Sequence, residues 1–320
     1  MKSFAATGSI PLLKNCAHRI VPTALRRCRK MPDALPTIGE ALRNGARFLK
    51  ESETPQLDAR TILKHVLRAD DSALIANADS RLGADDYKRY LKLLDRRAAA
   101  EPVAYIVGEK EFWSLPFEVT PDVLIPRDDS GALIEAAIKR RDKNEPLQIA
   151  DLGTGSGCLL CALLTEFPKA RGVGVDRSEA ALAVARRNAT RLGLAERAGF
   201  VAGDWLAALS GAFDIVIANP PYIPQGDKAG LSRDVAAYEP PGALFAGKDG
   251  FDAYRSILKD LPCYLAKGAL VLMECGADQA DSLAVMLADI APENAIFTFC
   301  DLANRPRGAG FDLRKAEKKD

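Results

Sequence analysis

From about residue 147 the chain alternates short apolar runs with stretches of helical spacing. The runs fall at 147–151, 171–176, 198–203, 213–218 and 268–274, with two more near 295–300 and 310–315. Such alternation predicts an α/β fold, a sheet with helices on both faces. Ser178 is placed to cap a helix that runs to Leu192 and stops at Gly193.

The preceding part has a different period. Thr37 and Glu40 form a T-x-x-E capping box, after which Ile38, Ala41, Leu42, Gly45, Phe48 and Leu49 repeat at helical spacing. Further helices are predicted over 55–68, 71–82 and 84–100, the last with Tyr87, Tyr90, Leu91 and Leu94 on one face. In residues 102–127 Val103, Tyr105 and Val107 alternate, then Phe117 and Val119, with Pro116, Pro121 and Pro126 as punctuation. That pattern predicts a β-hairpin. The expected division is a basic leader (1–31), an all-helical domain (32–101), a β-hairpin linker (102–127) and the α/β domain (128–320), in keeping with 320 residues.

Charge narrows the partners. Residues 1–30 carry seven Lys or Arg and no Asp or Glu; the remainder has 37 basic against 43 acidic residues, a balance of −6. An acidic body matches a nucleic-acid backbone poorly and suits a small cationic cofactor or a basic protein better. No apolar run approaches the roughly 20 residues of a membrane helix. Seven cysteines without a regular framework point to a reducing compartment. Cys158 and Cys161 form one C-x-x-C, but with only His18 and His65 and no second such pair, no metal site is expected. The leader reads as a presequence, which would place the protein in the mitochondrial matrix, or as an over-extended start before Met31, which leaves it cytoplasmic; Pro11 and Pro22 interrupt any amphipathic helix there.

The chemistry lies at the strand ends. "IADLGTGSGC" (149–158) is a strand, a loop with Gly153, Gly155 and Gly157, and a helix start. Its G-x-G-x-G spacing is not the G-x-G-x-x-G of dinucleotide sites, but glycines there let a ligand press against backbone. The next strand ends on Asp176, placed either to accept from both ribose hydroxyls or to serve a helix cap. The third leads into Asp204 and Trp205, an acceptor beside a flat wall suited to adenine, or a core tryptophan. The fourth delivers Asn219-Pro220-Pro221-Tyr222. A double proline ends sheet pairing and stiffens the backbone. The Asn219 carbonyl oxygen and the Pro220 C=O then become two fixed acceptors, suited to a planar NH2 group that Tyr222 can stack against. Alone, the tetrapeptide would be an ordinary Asn-Pro turn.

In combination these stretches resemble the class I S-adenosylmethionine-dependent methyltransferases that modify NH2 groups. More narrowly, the chain is similar to the HemK/PrmC family, which methylates a glutamine side-chain amide in translation release factors. The likeness spans nearly all of residues 32–305: "AYIVGEKEFWSLPFEVTPDVLIPR", "DLGTGSG", "GVD", "GDW", "NPPYIP" and "YEPPGALFAGKDGFDAYRSI" (238–257). It implies a Rossmann-like, mostly parallel seven-stranded sheet. It implies S-adenosyl-L-methionine held by Asp151, by Gly153, Thr154, Gly155, Ser156 and Gly157 at the methionine end, by Asp176 at the ribose, by Asp204 and Trp205 at the adenine, and by Asn219. Catalysis would fall to Asn219, Pro220 and Tyr222, and the glutamine of a GGQ segment to Asn219, Pro220, Pro221 and Tyr222. The chain departs from the family at "IPRDDSG" (125–131), where IPRPETE is usual, and at "ANRPRGAG" (303–310), where G-R-D-R-V is usual. The implied protein partner is a peptide chain release factor, with neither membrane nor nucleic acid contacted directly. Rival readings are a ribosomal-protein glutamine methyltransferase, an adenine-amine DNA methyltransferase and a non-catalytic cofactor-binding protein.

Overall fold

The computed structural model describes residues 34–316, so the basic leader lies outside the described residues. Thr37 makes both halves of the capping box. Its hydroxyl accepts from the Glu40 N–H at 3.2 Å, and its own N–H donates to Glu40 Oε2 at 2.8 Å. Helix α1 (Ile38–Phe48) starts there, followed by α2 (Pro55–Leu67), α3 (Asp71–Ala76) and α4 (Ala84–Ala98). Tyr90 and Leu94 of α4 are buried in one apolar cluster with Ile38, Ile62 and Leu63, and Tyr87 and Leu91 pack at its edge.

The third helix stops well short of the predicted residue 82. The Ala78 and Ser80 carbonyls accept instead from the Gly39 and Ile38 N–H groups at 2.8 and 3.0 Å. Those donors belong to the first turn of α1, which has no partners of its own for them. Satisfying them outweighs another turn of α3.

Residues 103–107 correct the sequence reading: they form a short helix, α5 (Val103–Val107), ahead of the hairpin. Three alternating apolar residues in five suit either period, and the ends decide. Pro102 costs a helix start nothing, and Gly108 at φ +79° provides the left-handed stop. Tyr105 and Ile106 are sequence neighbours and both are buried, whereas successive strand residues point to opposite faces. The hairpin itself is β1 (Glu109–Phe112) paired with β2 (Leu115–Glu118). Its two turn residues, Trp113 and Ser114, both have positive φ (53° and 58°), which matches the turn to the strand twist.

The large sheet holds β3 (Gln148–Leu152), β4 (Arg171–Asp176), β5 (Ala198–Ala202), β6 (Phe213–Ala218), β7 (Leu265–Glu274), β8 (Ile296–Cys300) and β9 (Pro306–Asp312). Its spatial order is β5-β4-β3-β6-β7-β9-β8. The pairs among β3 to β7 are parallel, and β9 runs antiparallel to both neighbours. This is the mostly parallel seven-stranded sheet the resemblance implied. Ile149, Ile215, Ile217, Leu270 and Leu272 enter one buried cluster, while Ala150, Val216, Ala218, Val271 and Met273 enter another on the opposite face. A period of two with both faces buried is what helices on both sides demand. Those helices include α6 (Gly131–Ile138), α7 (Cys158–Glu166) and α8 (Glu179–Arg191). Ser178 caps α8 by accepting from the Ala181 N–H at 3.2 Å, and Gly193 follows its end at φ +72°.

The atypical "ANRPRGAG" stretch still delivers a last strand paired on both sides from Gly308 to Phe311, with an irregularity at Arg307. Asn304 takes the left-handed conformation (φ 59°), which asparagine tolerates well. Arg305 and Arg307 then both reach the Asp301 carboxylate, at 3.0 and 3.1 Å.

Candidate active site

The chain adds β4 and β5 on one side of β3, then crosses to the other side with β6 and β7. Where the strand order reverses, the loops after neighbouring strands diverge and leave a crevice at their carboxyl ends. Gly153 and Gly155 from β3, Asp176 from β4, Asp204 and Trp205 after β5, and Asn219 and Pro221 after β6 all line that crevice. The sheet topology thus brings four separate sequence motifs to one place.

The glycine loop needs its glycines. Gly153, Gly155 and Gly157 have φ of +74°, +52° and +78°, a region that costs other L-residues about 1–2 kcal/mol. A Cβ at Gly155 would have no neighbour closer than 4.0 Å, so the backbone faces open space where a ligand can press against it. Beneath the loop, Asp151 is fully buried, and the Thr154 hydroxyl donates to its Oδ2 at 2.7 Å. Burial pushes the Asp151 carboxyl up to about 7, with the Thr154 bond acting in the opposite direction. Asp151, Thr154 and Ser156 are buried and do not line the crevice; with Gly157, which starts α7, they hold the loop from behind.

Asp176 ties the glycine loop to the start of α8, whose cap is the Ser178 side chain. Its Oδ2 accepts from the Gly155 N–H at 3.0 Å and its Oδ1 from the Ser178 N–H at 2.9 Å. Each carboxylate oxygen has a second lone pair, so acceptor capacity remains toward the crevice. Asp204 is exposed and takes no capping bond from the turn that follows it. Trp205 is 9% exposed, and its ring lies 3.3 Å from where a Gly153 Cβ would stand. It is at once a core residue and part of the crevice wall. With Asp122, the crevice presents three carboxylates against the single guanidinium of Arg177.

The Asn219–Tyr222 corner is anchored from two sides. The Ile223 N–H donates to the Leu244 carbonyl and the Ala246 N–H to the Ile223 carbonyl, both at 3.0 Å. The Gln279 side chain donates to the Tyr222 carbonyl at 3.0 Å. Asn219 is half-buried, and its Nδ2 donates to the Ser130 hydroxyl at 3.2 Å. Pro220 is buried and Tyr222 half-buried; neither lines the crevice wall. Burial pushes the Tyr222 phenol up to about 12, so it stays protonated at neutral pH.

Several contributors carried no local signal. Val123, Leu124 and Asp122 reach the crevice from the linker, and Pro240, Gly242 and Ala243 from the "YEPPGAL" stretch. These two segments are clasped together. Arg127 Nη2 donates to Glu239 Oε1 at 2.5 Å, and the Ile125 N–H donates to Glu239 Oε2 at 3.4 Å. Burial raises the Glu239 carboxyl above the ordinary range, and Arg127 partly offsets this. Asn188 on α8 is fully buried; it takes the Glu118 N–H at 2.7 Å and donates to the Glu118 and Ser156 carbonyls at 3.0 and 2.9 Å. It ties the hairpin to the glycine loop. The pairing of the linker motif with "YEPPGAL" in the sequence was the signal that could have pointed to the clasp.

The chain is similar to known proteins over most of its length. Residues 40–108 match the family described as PrmC N-terminal domain, and residues 128–236 match the methyltransferase small domain. The chain is 40% identical over 281 residues to the release factor glutamine methyltransferase of Bradyrhizobium diazoefficiens, covering 85% of this chain and 95% of that protein. It is 42% identical over 250 residues to that of Moorella thermoacetica (77% and 88% covered). It is 41% identical over 274 residues to that of Burkholderia pseudomallei (84% and 95% covered).

Proposed function

This chain belongs to the family of release factor glutamine methyltransferases, and from that premise we propose that it methylates the side-chain amide nitrogen of a glutamine in a peptide chain release factor, drawing the methyl group from S-adenosylmethionine. The observation that carries the reading is the position of Asn219 in the same crevice as the glycine loop, Asp176 and Asp204. The residues fit the cofactor: open backbone at Gly155, two carboxylates with acceptor capacity, an aromatic wall and an excess of negative charge suited to a cation.

In this reading Gly153 to Gly157 hold the methionine end with Asp151 buttressing the loop, Asp176 takes the ribose, and Asp204 with Trp205 takes the adenine. The bound cofactor supplies an electrophilic methyl group on a sulfonium. The protein's task is the nucleophile. An amide nitrogen is unreactive because its lone pair is delocalised into the carbonyl. Asn219 Oδ1 and the Pro220 carbonyl would each accept a hydrogen bond from one N–H of the glutamine NH2, raising electron density on nitrogen as positive charge develops, and the methylated nitrogen would then lose one proton to water. The stiff double-proline corner, with Pro221 and Tyr222, holds that nitrogen at near-attack distance without reorganisation.

A groove of about 720 Å³, between the helical segment and the Arg127 end of the linker, has room for a loop of the protein substrate. We assign substrate gripping to it and to the helical domain over 32–101, and take the target to be the glutamine of a GGQ segment. The acidic body argues against direct nucleic-acid contact. No helix among the described residues is long and apolar enough to cross a membrane, and the bacterial relatives favour a cytoplasmic setting.

Incubation with labelled S-adenosylmethionine and, separately, a release factor, a ribosomal protein and DNA tests the reading. Mass spectrometry should place the label on a release-factor glutamine. Label only on the ribosomal protein or on DNA would overturn the assignment.

A further inference from the structure

Behind the Asn219 corner stands a polar cluster that the proposed chemistry leaves unused. Ser130 is 2% exposed and Glu274, the last residue of β7, 1% exposed. Glu274 Oε2 has no hydrogen-bond partner among the described residues. A buried carboxylate with an orphan oxygen is costly, and such groups call for an explanation. The Ser130 hydroxyl lies beside this carboxyl and favours its ionised form, against the burial that pushes it up to about 7. Ser130 also receives the Asn219 Nδ2–H.

We propose that Ser130, backed by Glu274, fixes which end of the Asn219 carboxamide faces the crevice, and so makes the site select an amide over an acid. The inference rests on the reading that Asn219 and Pro220 accept the two glutamine protons. A carboxamide has nearly the same shape after a half-turn, so sterics alone do not orient it. Its neighbour must be a committed donor or a committed acceptor. A serine hydroxyl has one proton and two lone pairs. In the proposed relay the ionised Glu274 carboxylate takes that proton, which would leave Ser130 able only to accept, as it does from Asn219 Nδ2–H. Asn219 Oδ1 is then left for the substrate. In the flipped state Asn219 would present NH2 to NH2, and a glutamate would be the better guest.

The turn that carries Ser130 is held in place from the last strand. Arg307 donates to Asp129 Oδ2 at 2.7 Å and to Asp301 Oδ2 at 3.1 Å. The unusual residues of "IPRDDSG" therefore keep a hydroxyl at position 130 and a carboxylate at 129, which shares Arg305 and Arg307 with Asp301.

The test uses the full chain, a release factor, and the same factor with its target glutamine changed to glutamate. Turnover is followed with S-adenosylmethionine, and binding of both factors with S-adenosylhomocysteine present. In Ser130→Ala, kcat should fall by about tenfold or more while cofactor affinity stays within about twofold. The binding preference for glutamine over glutamate should shrink by about tenfold. Ser130→Thr, which keeps the hydroxyl, should restore both. Glu274→Gln, whose amide can donate as well as accept, should also erode the preference. A role confined to packing would not move the glutamine-to-glutamate ratio. An unchanged ratio and kcat in Ser130→Ala, with the wild type active, would overturn the relay alone; a wild type that transfers nothing to release factor removes the functional reading and the relay with it.

Discussion

The Arg127–Glu239 clasp allows a quantitative test of how the crevice is assembled. The two side chains are 39% and 1% exposed, so the pair is strongly asymmetric. Removing the arginine leaves a buried carboxylate with only the long Ile125 bond, whereas removing the glutamate charge leaves an arginine that can turn to water. Breaking a buried pair from the side that strands a charge costs about 3–5 kcal/mol, and partial water access at Arg127 lowers the expectation for Arg127→Met to about 2–3 kcal/mol. Glu239→Gln keeps an acceptor oxygen for only one of the two donors, but it strands no charge, and should cost about 1–2 kcal/mol. The double variant should lie near Glu239→Gln, well short of the sum, because the stranded charge is gone. The pH sign follows. Burial already raises the Glu239 carboxyl, and loss of Arg127 raises it further. The defect of Arg127→Met is therefore fully present at alkaline pH, where the folded protein must ionise Glu239, and fades as acid protonates it. Because Pro240, Gly242 and Ala243 line the crevice, cofactor affinity should drop along with stability. Urea denaturation and cofactor titration of the three variants across pH 5–8 measure all of this. A loss of less than about 0.5 kcal/mol in Arg127→Met, or a larger loss in Glu239→Gln than in Arg127→Met, would refute the clasp.

Other consequences are equally direct. Asn219→Ala should lower methyl transfer to release factor by about a hundredfold or more, as loss of a preorganised polar group does; full activity in that variant would remove Asn219 from the mechanism. Asp151 has its pKa raised from 3.8 to about 7 by burial, so its proton stabilises the fold in acid, and that contribution is lost as pH rises through the folded value. Between pH 4 and pH 8, Asp151→Asn should gain on the wild type by up to about 4 kcal/mol in unfolding free energy, a shift absent if the carboxyl titrates normally. Ser114→Gly should raise stability by about 1 kcal/mol, since glycine occupies φ near +58° without penalty. A neutral or negative thermal shift would show that the turn stores no such strain.

Features whose physics is local were legible in the chain. The Thr37 box, the Ser178 cap and the left-handed glycines of the loop depend on residues within a few positions of one another. The buried strands announced themselves as apolar runs because a parallel sheet covered on both faces excludes polar side chains. The double proline at 220–221 ended β6 for the same kind of reason, a fixed φ and a missing N–H. Where local signals tied, the fold decided. Residues 103–107 fitted both periods and became a helix through Pro102, Gly108 and the burial of adjacent Tyr105 and Ile106. The third helix surrendered its last turn because its carbonyls met the unpaired N–H groups of α1. The polar partnerships were invisible in the chain, since Asn219 with Ser130, Arg127 with Glu239 and Asn188 with Glu118 join residues 89, 112 and 70 positions apart. A serine or an asparagine has the same appearance in a sequence whether it faces water or a buried acceptor. Only folding removes the water and obliges each donor and acceptor to find a partner, and those obligations set the orientation of the groups that line the crevice.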